Sequence, residues 1–179
     1  FGSNVVTSTA GAVYSFMGQS LIDSCIFTGN KSQFSGGIHV SGENARAQID
    51  HSIISGNTSN GGCAGIAVAI GQVRINNSFI YNNISMSDDT LAGSGGGVQL
   101  SQNAGVEIIN SVIANNKAGG KEDDGGGGVM IYGGNLMMTH VTLVNNSTAS
   151  LGGAIRVYDS SGAVRINNSI IWSNIARDD

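Results

Sequence analysis

The sequence predicts an all-β protein: a right-handed single-stranded parallel β-helix, a solenoid of about six coils whose strands stack into three parallel sheets. Three observations lead there. Asparagine returns six times at a spacing of roughly 29 residues, each time three positions after an apolar side chain. Between successive asparagines lies a short apolar strand entered through glycine. The 179 residues include 28 glycines and no proline, and are 40% hydrophobic against 11% charged. Such a chain has the apolar content to fold and must make its turns with Gly and Asn.

The first element is the asparagine segment. It reads Phe27-Thr28-Gly29-Asn30, Ile54-Ser55-Gly56-Asn57, Ile80-Tyr81-Asn82-Asn83, Ile113-Ala114-Asn115-Asn116, Leu143-Val144-Asn145-Asn146 and Ile171-Trp172-Ser173-Asn174. In a parallel stack, like residues lie above like residues, so Asn30, Asn57, Asn83, Asn116, Asn146 and Asn174 are expected to form a ladder. Their amides would bond from coil to coil while their backbone takes the left-handed turn. The second element precedes it. Eight positions before each asparagine stand Ile22, Ile49, Ile75, Ile108, Met138 and Ile166; ten before stand Ser20, Ala47, Val73, Val106, Leu136 and Val164. Equal parity assigns both columns to the inward face of one strand.

Small residues occupy the position five before the asparagine (Cys25, Ser52, Ser78, Ser111, Val141, Ser169) and two after it (Ser32, Ser59, Ser85, Ala118, Thr148, Ala176), as expected where the backbone bends close to the core. Six before stand Ser24, His51, Asn77, Asn110, His140 and Asn168, a second, partial polar ladder. The third element is the glycine-entered strand: Gly37-Ile38-His39-Val40, Gly65-Ile66-Ala67-Val68, Gly97-Val98-Gln99-Leu100, Gly128-Val129-Met130-Ile131 and Ala154-Ile155-Arg156-Val157. The alternation predicts inward aliphatics, with His39 and Arg156 solvated on the outer face. Residues 1–179 read as one such domain, a piece of a longer chain, since the sequence stops five residues past Asn174 without a visible cap.

These residues resemble the right-handed parallel β-helix repeat families, in particular the repeats of the chlamydial polymorphic outer membrane proteins. Gly152-Gly153-Ala154-Ile155 matches their Gly-Gly-Ala-Ile-like motif and Phe27-Thr28-Gly29-Asn30 their Phe-x-x-Asn motif. The resemblance implies an autotransporter-type passenger, secreted or displayed at a bacterial cell surface in association with the outer membrane, that contacts a glycan or a cell-surface protein. Polysaccharide lyases share the coil, so an enzyme with its catalytic residues elsewhere is the alternative. A self-assembling extracellular filament joined through the coil ends is a third reading.

Charge and hydropathy bound the partners. The net charge of -4 and the absence of a Lys/Arg cluster along the sequence argue against nucleic acid, and no apolar run reaches the roughly 18 residues needed for direct membrane insertion by a helix. Cys25 and Cys63 fall on different sides of different coils and are expected to be free.

Chemistry is sparse. Enzymes of the resembled fold gather carboxylates on the outer face of the glycine-entered sheet, but that face here offers Tyr14, His39, Ala67, Gln99, Met130 and Arg156, so the reading leans away from catalysis. Asp23 and Asp50 fall in one column on adjacent coils, where two carboxylates suit a shared Ca²⁺, although no cofactor is required. Two insertions, Ser85 to Gly95 and Lys117 to Gly126, carry Asp88-Asp89 and Glu122-Asp123-Asp124, which stacking would bring together as a ligand-binding edge. The row Ile26, Ile53, Phe79, Val112, Thr142 and Ile170 makes both parities of the third strand apolar; a parity shift at the bend is expected to bury it, and exposure would instead offer a surface for self-association. Sequons at Asn30, Asn57, Asn76, Asn83, Asn145, Asn146 and Asn167 fall mostly in ladder or bend columns, whose asparagines serve the coil. The expected function is a noncatalytic, adhesin-like module.

Overall fold

A computed structural model describes residues 1–86, 95–119, 125–158 and 161–176. Every strand pairing in it is parallel, and each strand pairs with its counterpart one coil earlier or later. The first sheet stacks Val13–Phe16, Ile38–Ser41, Ile66–Ala69, Val98–Ser101, Val129–Tyr132 and Ile155–Val157. The second stacks Gln19–Asp23, Arg46–Asp50, Gln72–Asn76, Gly105–Ile109, Asn135–Thr139 and Val164–Asn167. The third stacks Ile26–Thr28, Ile53–Ser55, Phe79–Tyr81, Val112–Ala114, Thr142–Val144 and Ile170–Trp172.

A fourth sheet corrects the expected three. It contains Lys31–Ser32, Thr58–Ser59, Ile84–Ser85, Lys117–Ala118 and Ser147–Thr148, so five coils carry all four strands. Its strands are two residues long, too short for alternation to show in sequence. Their second residues, Ser32, Ser59, Ser85, Ala118 and Thr148, are the small column, and all face the core.

The inward columns agree with the alternation. Ile49, Ile75, Ile108 and Met138 of the second sheet, Ile38, Ile66, Val98 and Val129 of the first, and Ile54, Ile80, Ile113 and Leu143 of the third are fully buried and form one continuous core. The glycines that enter the first sheet are needed for close approach between coils: a Cβ on Gly65 would lie 2.2 Å from the Gly97 carbonyl oxygen, and one on Gly37 would lie 2.6 Å from that of Gly65.

The ladder forms and has one rung more than expected. Each asparagine Nδ2 donates to the Oδ1 of the next: Asn4 to Asn30 at 2.8 Å, Asn30 to Asn57 at 2.8 Å, Asn57 to Asn83 and Asn83 to Asn116 at 2.9 Å, Asn116 to Asn146 at 3.0 Å, and Asn146 to Asn174 at 2.9 Å. The same Oδ1 accepts the backbone N–H of the preceding rung, and the second Nδ2 hydrogen reaches a carbonyl of the preceding coil, as from Asn83 to Ile54. Asn30, Asn57, Asn83, Asn116 and Asn146 are fully buried with both ends of the amide satisfied, as burial requires. The left-handed backbone sits elsewhere. It falls on the residue before each rung (Gly29, Gly56, Asn82, Asn115, Asn145, Ser173) and on the column Ser24, His51, Asn77, Asn110, His140, Asn168, with φ between 46° and 65°. That column is therefore a bend whose side chains lie at the surface, where a short polar side chain tolerates the conformation.

The small column five before each rung is a second ladder. Cys25 N–H donates to Ser52 Oγ, Ser52 N–H to Ser78 Oγ, and Ser78 N–H to Ser111 Oγ, each at 3.1 Å. Each serine hydroxyl then donates to the carbonyl two residues back.

The apolar row of the third sheet is a correction. The bend does not shift parity, and Phe27, Ile54, Ile80, Ile113 and Leu143 take the core, so Ile26, Phe79 and Ile170 are exposed at 54%, 50% and 61% while Ile53, Val112 and Thr142 are half-buried.

Candidate binding groove on the second sheet

The outer face of the second sheet carries two polar rows that alternation alone produces. Residues one, three and five of the five-residue strands point outward, as does the second residue of Val164–Asn167, and in-register pairing aligns them. One row runs Gln19, Arg46, Gln72, Gly105, Asn135; the other runs Leu21, Gln48, Arg74, Glu107, Met137, Arg165. Together they line an open groove of about 900 Å³ that crosses all six strands along the solenoid axis. At about 4.8 Å per strand it is roughly 24 Å long.

Arg46 and Arg74 are diagonal neighbours on adjacent strands, since Gln72 pairs with Arg46 and Arg74 with Gln48. Arg74 Nε lies 3.4 Å from Glu107 Oε2. Gly105 has a specific use: a Cβ there would meet the Gln72 side chain at 2.0 Å, so the missing side chain lets the Gln72 amide lie along the groove floor. Planar guanidinium and amide groups thus dominate the surface, and these hydrogen-bond in pairs to carboxylates and to neighbouring hydroxyls. Reading the chain for local clusters missed this site, because its arginines are separated by 28 and 91 residues. The repeat columns held the signal.

The residues singled out from sequence are distributed as follows. Asp23 and Asp50 are paired in register at the bend edge of the second sheet. Asp23 Oδ1 lies 3.1 Å from His51 Nδ1, whose Nε2 is 3.2 Å from the Asn77 amide. Gln48 Nε2 donates to Asp50 Oδ2, while Asp50 Oδ1 is buried without a partner. Among the described residues, no group of three or more His, Cys, Asp or Glu side chains is arranged to hold a metal ion. Asp88, Asp89, Glu122, Asp123 and Asp124 lie outside the described residues.

On the outer face of the first sheet, His39 and Arg156 are not solvated as expected. His39 Nδ1 is 2.8 Å from Ser35 Oγ, its ring meets Tyr14 edge-on at 5.2 Å, and burial holds its pKa below the ordinary histidine value. Arg156 is buried, bonds Ser150 Oγ at 3.3 Å and stacks over Tyr158 at 5.5 Å. Cys25 is half-buried and Cys63 buried, both free thiols; burial pushes Cys63 up to about 12. The sequon asparagines Asn30, Asn57, Asn83 and Asn146 are ladder rungs with no exposed amide.

Parallel coils closed by an asparagine ladder define the class, a right-handed parallel β-solenoid. A family model described as right handed beta helix region matches residues 1–176, and the chain belongs to that family. No match was found among curated proteins or among solved structures.

Proposed function

We propose that this chain is a noncatalytic binding module that holds an extended glycan along the groove of the second sheet. One observation carries the reading: a continuous outward groove with Arg, Gln, Asn or Glu from successive coils, repeated at the strand spacing. A polymer lying along the axis meets a new set of planar donors at each coil, and shallow contacts repeated along a chain add up to useful affinity. Among the described residues Glu107 is the one carboxylate lining the groove, and it is ion-paired with Arg74. Glycosidic hydrolysis ordinarily takes two acids on opposite sides of the bond, so the lining favours binding over cleavage. Secretion or surface display, adhesin-like in the manner of the polymorphic outer membrane protein repeats, belongs to the same proposal and rests on the motif resemblance.

Affinity electrophoresis through gels containing soluble polysaccharides tests the reading. The chain is expected to be retarded by at least one of them, and a Gln48→Ala/Gln72→Ala double variant to run closer to its mobility in an empty gel. Unchanged mobility in polysaccharides of every charge class would remove the proposal.

A further inference from the structure

The groove differs in charge from the rest of the molecule. Among the described residues three arginines, Arg46, Arg74 and Arg165, line it against one carboxylate, Glu107, so this lining is two charges positive on a chain whose net charge is -4. Among the described residues, Arg46 and Arg165 have no carboxylate within ion-pair distance; the ion pairs there are His51–Asp23 and Arg74–Glu107. Arg46 is exposed on the second of the six strands and Arg165 on the last, with Arg74 between them. From Arg74 the row passes Glu107 and Met137 before reaching Arg165, three strand spacings or roughly 14 Å away.

From this we infer that the groove selects an acidic polysaccharide, one whose sugars carry carboxylate or sulfate groups; the inference rests on the glycan-binding reading above. An anionic group recurring along a polymer meets Arg46 and Arg74 near one end and Arg165 near the other. The intervening Gln48, Gln72 and Asn135 bond hydroxyls. Nucleic acid fits less well. Duplex DNA presents a charge about every 1.7 Å, far denser than three arginines in about 24 Å, and single strands are held by stacking on aromatic rings, which the lining lacks. The apolar side chains of the outward rows, Leu21 and Met137, carry no aromatic ring.

Glu107 has a defined part here. It is the internal anion that occupies Arg74, so it competes with the ligand for that guanidinium. Removing its charge should strengthen binding, which a merely structural role would not do.

The test uses the whole chain with polygalacturonate, dextran sulfate, neutral dextran and an oligothymidylate, each at low and physiological salt. Binding to an acidic polysaccharide at least tenfold tighter than to dextran, weakening with salt, supports the inference. An Arg46→Ala/Arg74→Ala variant should lose about tenfold per arginine, and Glu107→Gln should gain several-fold. Circular dichroism serves to confirm that both variants are folded. Equal affinity for dextran and the acidic polymers would overturn the charge selection while leaving glycan binding standing. Equal or tighter binding of the oligothymidylate would also overturn it, and so would Glu107→Gln weakening the complex. Failure of every polysaccharide would overturn the glycan reading itself.

Discussion

Asn83 is the rung whose removal tests the ladder most directly. Its Oδ1 accepts the backbone N–H of Asn57 at 3.1 Å and the Asn57 amide at 2.9 Å; its Nδ2 donates to Ile54 O and to Asn116 Oδ1, both at 2.9 Å. Asn83→Ala therefore leaves the Asn57 N–H without its acceptor, frees one Asn57 amide hydrogen and strips a donor from the Ile54 carbonyl. Asn116 Oδ1 keeps the backbone N–H of residue 83. At about 1–3 kcal/mol for each buried polar group left unpaired, three such groups give a loss of roughly 3–9 kcal/mol. For a chain of this size, at about 2–4 °C per kcal/mol, that is a fall of roughly 6–36 °C in Tm, read by circular dichroism or calorimetry. Asn4→Ala, at an exposed rung whose side chain bonds only Asn30 among the described residues, should cost under about 1 kcal/mol.

The Asn83→Asp variant gives the same reasoning a pH signature. At neutral pH it turns a carboxylate oxygen toward two acceptors in a buried site, so it should be less stable than Asn83→Ala. Burial raises the folded pKa of such an acid above the unfolded value of about 3.9. The penalty is thus absent below that pH and grows as pH rises. Below about pH 4 the protonated acid regains one donor, and the order of the two variants should reverse. A loss under about 1 kcal/mol for Asn83→Ala, or no change in order with pH, would refute the reading of the ladder as buried, mutually satisfied bonds.

The serine ladder is interrupted where Val141 stands above Ser111; a threonine there can accept the Ser111 N–H and donate to the Thr139 carbonyl, so Val141→Thr should raise the denaturant midpoint by about 1 kcal/mol equivalent, and a comparable drop would show that packing of the valine dominates. His39 is held below its ordinary pKa of 6.5 by burial, so the unfolded chain protonates first and stability falls as pH drops below about 6.5. His39→Gln should flatten that part of the stability-versus-pH curve. With Cys63 buried and pushed up to about 12, and Cys25 half-exposed, one thiol per chain should react with iodoacetamide under native conditions and two after denaturation; equal native rates would contradict the burial of Cys63.

Much of the coil was legible because parallel stacking turns chemistry into columns. Asn30 through Asn174 and the Ile22 and Ile38 columns announce themselves by repetition alone. The Asn4 rung was just as visible in principle: Phe1-Gly2-Ser3-Asn4 is a second Phe-x-x-Asn, and in the structure the Phe1 ring stacks on Phe27 at 5.1 Å. The fourth sheet was hidden by two-residue strands. The exposure of Ile26 and Phe79 was hidden because an apolar side chain carries no mark of which face it occupies once the strand is three residues long. The groove escaped because charge was sought along the chain, where Arg46, Arg74 and Arg165 are distant, and carboxylates were sought on the first sheet. The serine column was read for size, although its hydroxyls bond from coil to coil.

The ladder also governs how such a protein can change over generations. The separation between rungs runs from 26 to 33 residues, yet every amide-to-amide distance stays between 2.8 and 3.0 Å. Two residues always separate the second sheet from the third, whereas the stretch from the fourth sheet to the next first-sheet strand varies, five residues after Ser32 and twelve after Ser85. One arc of the coil is thus a template copied faithfully and another is open to insertion. A lineage carrying this coil can gain or lose whole turns, or lengthen the open arc, without disturbing the amides that hold the stack. For the same reason the open arc is the place to graft a foreign peptide.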